Sequence, residues 1–256
     1  MKPTGNTILI TGGGSGIGEA LAHRFHDKGN TVIIAGRRRD ALDRTIAGRA
    51  NMHAITLDVE SAEGVADFAK RLLAAYPALN VVINNAGIMR SEPLDRSRDL
   101  ADAEATITTN LLGPIRLNNA LVDHLVTRPD AVIVNVSSGL AFVPLIDSPT
   151  YCATKAAIHS YTVAMREALR GKVDVIELVP PAVQTGLTPG QETRPTYQPL
   201  DEFTDEVMAL FAQQPTPNEI LVERVGFLRF AERQGRFDDT VGQLNRAVAQ
   251  ARRDQT

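Results

Sequence analysis

Ile8-Leu9-Ile10-Thr11-Gly12-Gly13-Gly14-Ser15-Gly16-Ile17-Gly18 is the stretch that decides the fold. An apolar, β-branched run ends in a glycine-rich turn, and a helical pattern over residues 17–28 begins at the far side of the turn. Such a turn brings bare backbone N–H groups to a helix N-terminus, where a dinucleotide pyrophosphate approaches without meeting Cβ atoms. In this reading Gly12 allows the sharp turn, Gly16 the close approach and Gly18 the tight packing of helix on strand. Gly14, Ser15 and Ile17 complete the expected cradle. No Lys-Ser or Lys-Thr follows Gly18, which disfavours the phosphate loop of ATP- and GTP-binding proteins.

Similar apolar runs recur at 31–35, 53–57, 81–84, 131–136 and 173–179. Their continuous rather than alternating character suits strands covered on both faces. Helical patterns lie between them at 40–48, 62–75, twice across 100–126, and at 150–170. Asp40, with Asp43 after it, reads as an N-cap with an acid in the first turn, and Gly29 as a C-cap. The expected fold is α/β: one Rossmann-type doubly wound parallel sheet with helices on both faces. It forms a single domain over 1–256, with its core at 7–185. Beyond that, prolines 189, 195 and 199 make 183–200 irregular, a candidate lid. Three helical patterns follow at 201–212, 218–233 and 239–252, the last with Val241, Leu244 and Val248 on one face. The C-terminal region thus reads as helical, with no seventh strand.

The chain has 256 residues, 43% hydrophobic and 22% charged, close to the soluble globular average. Its 27 basic and 30 acidic residues give a net charge of −3, so no basic excess exists to bind nucleic acid. No apolar run reaches the roughly 18–20 residues of a membrane span. The first residues enter a strand-like run without the long apolar stretch of a secretory leader. One cysteine, Cys152, forbids an internal disulfide framework and suits a reducing compartment. A cytoplasmic protein is the expectation.

Asp58-Val59, Asn84-Asn85-Ala86-Gly87, Asn110, Ser138 and Tyr151-x-x-x-Lys155 follow the glycine turn in that order. Together with Thr11-Gly12-x-x-x-Gly16-x-Gly18 they resemble the short-chain dehydrogenases/reductases, in their compact single-domain branch, over roughly residues 7–185. Tyr151 and Lys155 are one helical turn apart and share a face. A phenol titrates near 10, too high to shuttle protons well near neutrality. An ammonium about 5 Å away, at an effective dielectric near 20, favours phenolate by roughly 3 kcal/mol, or about two pKa units. The pair is therefore expected to lower Tyr151 into a useful range. The resemblance implies that Tyr151 is the general acid/base and that Ser138 hydrogen-bonds the substrate oxygen. It also implies that Lys155 binds the nicotinamide ribose and that Asn110 holds a water in the proton relay. Ser137 is the other candidate hydroxyl, though the spacing from Ser138 to Tyr151 is the family's usual one. The implied activity is hydride transfer between nicotinamide and a ketone, aldehyde or secondary alcohol.

Cofactor choice turns on the end of the second strand. An acid there selects NAD by binding the ribose 2′-hydroxyl; here Gly36 takes that place and Arg37-Arg38-Arg39 follows. The guanidinium groups of Arg37 and Arg38 would fork-bond a 2′-phosphate, so NADP(H) is expected over NAD(H). A solvated basic turn is the alternative, and Ser15 stands where many NADP-dependent relatives carry a basic residue. By resemblance Asp58 and Val59 contact the adenine, Asn85, Ala86 and Gly87 lie beside its ribose, and Val183 and Thr185 anchor the nicotinamide end. Pro181, also assigned to the cofactor, replaces the family's glycine, which fixes φ and removes an N–H.

Met89, Leu140, Phe142 and Leu145 are expected to line an apolar substrate pocket, with Arg90 or Arg194 available to a carboxylate. Cys152 lacks an evident base and reads as a packed thiol. His23 and His26, a helix-spaced pair, lack further ligands, so no metal is expected. A G-x-S-x-G motif is absent, which leaves a serine hydrolase unsupported. The family's seventh strand helps build its tetramer; without it a homo-oligomer is expected as a dimer before a tetramer. Two other classes stay open, a dinucleotide-binding redox sensor and a lyase or isomerase on the same fold. A sensor would have no need of Asn110, Ser138, Tyr151 and Lys155 together.

Overall fold

A computed structural model describes residues 1–253, with side chains through 246. Among these residues the strands are β1 (Thr7–Thr11), β2 (Thr31–Gly36), β3 (Met52–Thr56), β4 (Val81–Asn84), β5 (Val132–Val136), β6 (Asp174–Val179) and β7 (Glu219–Leu221). The helices up to β6 are α1 (Gly16–Asp27), α2 (Arg39–Ile46), α3 (Ala62–Ala75), α4 (Ala101–Ile107), α5 (Gly113–Leu125) and α6 (Pro149–Ala168). Beyond it come α7 (Leu200–Phe211), α8 (Gly226–Arg229) and α9 (Phe237–Arg253). The sheet order is β3-β2-β1-β4-β5-β6-β7, every pairing parallel. The winding reverses between β1 and β4, and the crevice at their carboxyl ends is where such sheets take ligands. This is the expected Rossmann-type fold.

Strand side chains alternate between faces, so the sheet feeds two cores. Ile8, Ile10, Ile34 and Ile83 pack with Leu21 and Phe25 of α1 and Phe203, Val207 and Phe211 of α7. Leu9, Ile33, Val82 and Ile133 pack with Phe68 and Leu72 of α3 and Leu117 and Leu121 of α5. Phe25 and Phe68 have no exposed surface, and truncating either to Ala would cost roughly 3–5 kcal/mol.

Local signals hold with small corrections. Gly29 follows α1 at φ +82, the left-handed position that favours glycine. Asp40 is not the cap of α2. Arg38 occupies that position and Asp40 lies in the first turn, where the helix dipole still favours its charge. The two helices expected across 100–126 run together through a π-helical turn, Thr108–Leu112, which carries Asn110.

The larger correction is C-terminal. The helix expected over 218–233 is replaced by β7, a 3-10 turn at Glu223–Val225 and the short α8. Ile220 and Val222 are buried while Glu219 and Leu221, which alternate with them, are less so, a strand's two-residue period filling the open edge of β6. The reason for doubting the family's tetramer therefore falls away. Residues 183–200 are irregular as expected, apart from a 3-10 turn at Gln191–Thr193. Their ends are tied together: the Gln184 N–H donates to the Gln198 carbonyl and the Gln198 N–H to that of Ala182, both at 2.9 Å. In α9, Leu244 packs near Tyr151 and Cys152, whereas the Val248 side chain lies outside the described residues. No helix of the described residues is long and apolar enough to cross a membrane.

Candidate active site

The glycine turn is built as its sequence implies. Gly12 and Gly16 have φ +66 and +55, values that suit glycine. A Cβ on Gly18 would sit 2.3 Å from the Gly12 carbonyl oxygen, so helix and strand meet with no room for a side chain. Thr11 Oγ1 accepts the N–H groups of Asn85 and Ala86, both at 3.0 Å, and bolts the loop after β4 to the end of β1. Ser15 holds the N-cap position of α1 but makes no capping bond. Among the described residues no side chain caps the first N–H groups of the helix, which fits an anionic pyrophosphate there.

A cavity of about 490 Å³ opens over this turn. Gly12, Ser15, Gly16 and Ile17 of the turn line it, together with Arg37 and Arg38 that follow β2. Asn85, Ala86, Gly87, Met89 and Arg90 follow along the β4 side. Ser138, Tyr151 and Lys155 line it beside the loop after β4, with Pro181, Val183 and Thr185 beyond β6. Four expected cofactor residues are not on the wall. Gly14 packs on α2, where a Cβ would lie 3.3 Å from Ala41, and Gly18 is taken up by packing on Gly12. The Asp58 carboxylate accepts the Glu60 N–H at 3.0 Å, and Val59 packs on Gly113. Arg37 is paired with Glu60 at 3.0 Å. Among the described residues Arg38 has no ion-pair partner, and its guanidinium fits a further anionic group.

Ser138 leaves β5 in extended backbone; its Oγ accepts the Leu140 N–H at 3.1 Å and hydrogen-bonds the Tyr151 phenol. Tyr151 and Lys155 share a face of α6 and are both buried. The Lys155 ammonium lies 5.6 Å from the Tyr151 ring centroid and donates to the Val136 carbonyl at 2.8 Å. Burial pushes the phenol up to about 12, with the Ser138 hydrogen bond opposing it. Burial pulls Lys155 down to about 8, opposed by the negative charge of Glu177. The expected lowering of Tyr151 is thus reversed in the protein's own residues. Desolvation of a phenolate outweighs an ammonium that is directed at a backbone carbonyl.

Asn110 is buried beside Lys155: a Cβ on Gly87 would be 3.2 Å from Asn110 Oδ1 and 3.8 Å from Lys155 Nζ. Its Oδ1 accepts the Ile88 N–H at 2.9 Å and its Nδ2 donates to the Ile88 carbonyl at 2.8 Å. The side chain braces the loop after β4. Ser137 Oγ is committed to Glu177 at 2.5 Å, which leaves Ser138 as the hydroxyl beside Tyr151.

Of the expected substrate residues, Met89 and Arg90 line the cavity, whereas Leu140, Phe142 and Leu145 do not. Phe142 is packed edge-on against His159 with Arg229 over its ring. Leu145 is buried with Cys152, and Leu140 packs against that pair. Gly186, Leu187 and Gln191 take their place on the wall; the irregular segment was legible, but nothing in its sequence marked these positions. Arg194 donates to the Tyr197 hydroxyl at 3.0 Å rather than facing the cavity. Cys152 is enclosed, its Sγ accepting the Leu145 N–H at 3.3 Å, and burial pushes the thiol up. His23 and His26 bond separate carbonyls, those of Thr45 and Ala50.

A family model described as short chain dehydrogenase matches residues 6–195. The chain is 38% identical over 250 residues to DltE, an uncharacterized oxidoreductase of Bacillus subtilis (strain 168), covering 96% of this chain and 98% of that one. It is 33% identical over 186 residues to sulfoacetaldehyde reductase 2 of Chromohalobacter salexigens, covering 71% and 74%. Among solved structures, a short chain dehydrogenase from Burkholderia cenocepacia J2315 in complex with NADP superposes with a TM-score of 0.78. That pair is 25% identical, covering 92% of this chain and 97% of the other.

Proposed function

The chain belongs to the short-chain dehydrogenase/reductase family of NAD(P)-dependent oxidoreductases, and from that premise we propose that it is an NADP(H)-preferring carbonyl reductase. The observation that carries the reading is one cavity lined both by Ser138, Tyr151 and Lys155 and by Arg37 and Arg38. Gly12, Ser15, Gly16 and Ile17 would hold the pyrophosphate, Arg38 with Arg37 the 2′-phosphate, and Lys155 the nicotinamide ribose. When bound, the dinucleotide supplies the hydride.

The chain's own residues supply the rest. Ser138 and Tyr151 donate to the substrate carbonyl oxygen and orient it, and the Tyr151 hydroxyl delivers its proton to that oxygen as the alcohol forms. A phenol pushed up to about 12 holds its proton at neutral pH and has it ready for the substrate oxygen. Lys155 places positive charge beside the phenolate left behind. The brace from Asn110 to Ile88 keeps the loop after β4 fixed beside these residues. Leu187 and Gln191 come from the irregular segment 183–200, which acts as a lid over substrate and excludes water. Ile88, Met89 and Leu187 offer apolar surface for a ketone or aldehyde. The sulfoacetaldehyde reductase named above, itself an aldehyde reductase, supports the carbonyl class.

Oxidation of NADPH and NADH against a panel of ketones and aldehydes, with Tyr151→Phe as control, tests the proposal. Turnover faster with NADPH and lost in the variant is expected. Tight dinucleotide binding with no turnover across the panel would favour a sensor, and product formed without net NADPH loss a lyase or isomerase.

A further inference from the structure

Glu177 sits in the middle of β6 between Ile176 and Leu178 and has no exposed surface. An ionised carboxylate in such a place needs a compensating charge. The sheet register sets Asn84, Asn135, Glu177 and Glu219 in one row across β4 to β7. The asparagine end of the row closes on neutral partners: Asn84 Nδ2 donates to Asn118 and to Asn135, and Asn135 Nδ2 to Thr162. The acidic end closes on a clasp. Ser137 Oγ donates to Glu177 Oε1 at 2.5 Å and His159 Nδ1 to Oε2 at 2.8 Å; a carboxylate only accepts, so Nδ1 carries the proton.

The charged groups around this carboxylate and its register neighbour Glu219 come from three elements: Lys155, His159 and Arg166 on α6, Glu219 itself on β7 and Arg229 on α8. Two of the cations are committed elsewhere. Arg229 forks both Glu219 oxygens at 2.8 and 2.9 Å, and Arg166 donates to the carbonyls of Val175 and Asn218. The ligand atoms of His159, Glu177 and Glu219 lie within 4.8 Å of one another. With Arg229 holding Glu219, the group is an ionic network rather than a cation site. Lys155 is the cation still uncompensated. Tyr151, Lys155 and His159 follow one another at successive turns of α6, which sets Lys155 between the phenol and the Glu177 clasp. Among the described residues its ammonium has one hydrogen-bond acceptor, the Val136 carbonyl, next in sequence to Ser137. Glu177 is the charge that opposes its desolvation.

We propose that Glu177, clasped by Ser137 and His159, is a positioning residue: the internal counter-anion that keeps Lys155 an ammonium beside Tyr151. Its consequence for catalysis rests on the acid–base roles proposed above, but the pairing itself is readable without turnover. The chain has five lysines, so lysine labelled with ¹³C at Cε gives a resolvable titration, and Lys155→Met assigns the signal. In Glu177→Gln, which keeps the shape and an acceptor for Ser137, the Lys155 midpoint is expected to fall by about one pH unit. The alkaline limb of kcat/KM falls with it, and Glu177→Asp restores both in part. An unmoved midpoint in folded Glu177→Gln overturns the proposal. If that variant does not fold, the double variant Glu177→Gln/Lys155→Met carries the test. Two ions that compensate each other are less damaging removed together, so the double variant is expected to fold, and its failure overturns the pairing. A midpoint that falls while Tyr151→Phe keeps full turnover sustains the pairing and removes the reductase reading. The reverse pattern removes only the pairing.

Discussion

Arg38→Ala is expected to separate the two dinucleotides. A phosphate monoester carries about −1.5 to −2 charge at pH 7, and Arg38 reaches the cavity without an ion-pair partner among the described residues. A hydrogen bond to a charged group nets about 1.5–3 kcal/mol, and exposure and salt at this rim reduce that to about 1–2 kcal/mol. The loss in NADPH affinity is then about 5–30-fold, while NADH, with a hydroxyl at that position, changes little. Arg37 should count for less, because it already pairs with Glu60 Oε1 at 3.0 Å, the same oxygen that accepts from Thr109 Oγ1 at 2.8 Å. To meet a phosphate it must leave or share that carboxylate. Glu60→Gln keeps an acceptor for Thr109 and removes a charge that both competes for Arg37 and repels phosphate. It should therefore tighten NADPH and leave NADH unchanged. Fluorescence titration of both reduced dinucleotides, at low and at physiological salt, reads all three variants. Equal losses for NADPH and NADH in Arg38→Ala, or weaker NADPH binding in Glu60→Gln, would refute recognition of a 2′-phosphate here.

Tyr151→Phe should lower turnover by roughly 10²–10⁴-fold, the range for a general acid, with dinucleotide affinity intact; near-native rates would remove Tyr151 from proton transfer. The pH profile has a defined sign. With Lys155 pulled down to about 8 and Tyr151 pushed up to about 12, kcat/KM for the dinucleotide should fall as pH rises through about 8, where the ammonium is lost, and the phenol should add no limb at lower pH. A profile flat across that region would exclude Lys155 from binding the dinucleotide as a cation. Gly18→Ala would set a Cβ 2.3 Å from the Gly12 carbonyl oxygen and 2.5 Å from Asn85 Nδ2. Overpacking of that kind costs about 1–3 kcal/mol, which a thermal melt should register as a fall of roughly 2–12 °C; an unchanged melt would mean that the helix does not seat on the strand so closely.

What was legible in the sequence divides along a physical line. β1, β2, β4, β5 and β6 announce themselves because helices cover both their faces, so that nearly every side chain is apolar. The glycine turn and the residues Ser138, Tyr151 and Lys155 are equally plain, since each sits at the end of such an element or on one face of α6, where spacing along the chain is spacing in space. β7 escapes that rule. With three residues, its alternation of Glu219, Ile220 and Leu221 is too brief to outweigh a helical pattern, and only the open edge of β6 decides between them. The substrate wall was misread for a related reason. The chain leaves β5 through a 3-10 turn at Gly139–Ala141, which rotates Phe142 onto His159 and Arg229 and away from the cavity.

The protonation state of the site was hidden in the same way, because it depends on the sheet register and not on spacing within α6. Tyr151 and Lys155 one turn apart suggest an ammonium that lowers a phenol, and that estimate assumes a dielectric which burial denies to both groups. In the folded chain the Lys155 ammonium itself requires support, and the support comes from another element. Glu177 is an acid inside the otherwise apolar strand Val175–Val179, and His159 follows Lys155 by one helical turn. Neither points to the other until β5, β6 and β7 are aligned and the acid is seen to rise on the face that α6 covers. Residues whose partner lies along one helix can be read from a sequence, whereas this charge balance is a property of three strands and a helix together. Lys155 should accordingly respond more strongly to the loss of Glu177, on β6, than to the loss of an exposed charge of its own helix such as Glu167, which pairs at the surface with Arg170 just beyond the helix end.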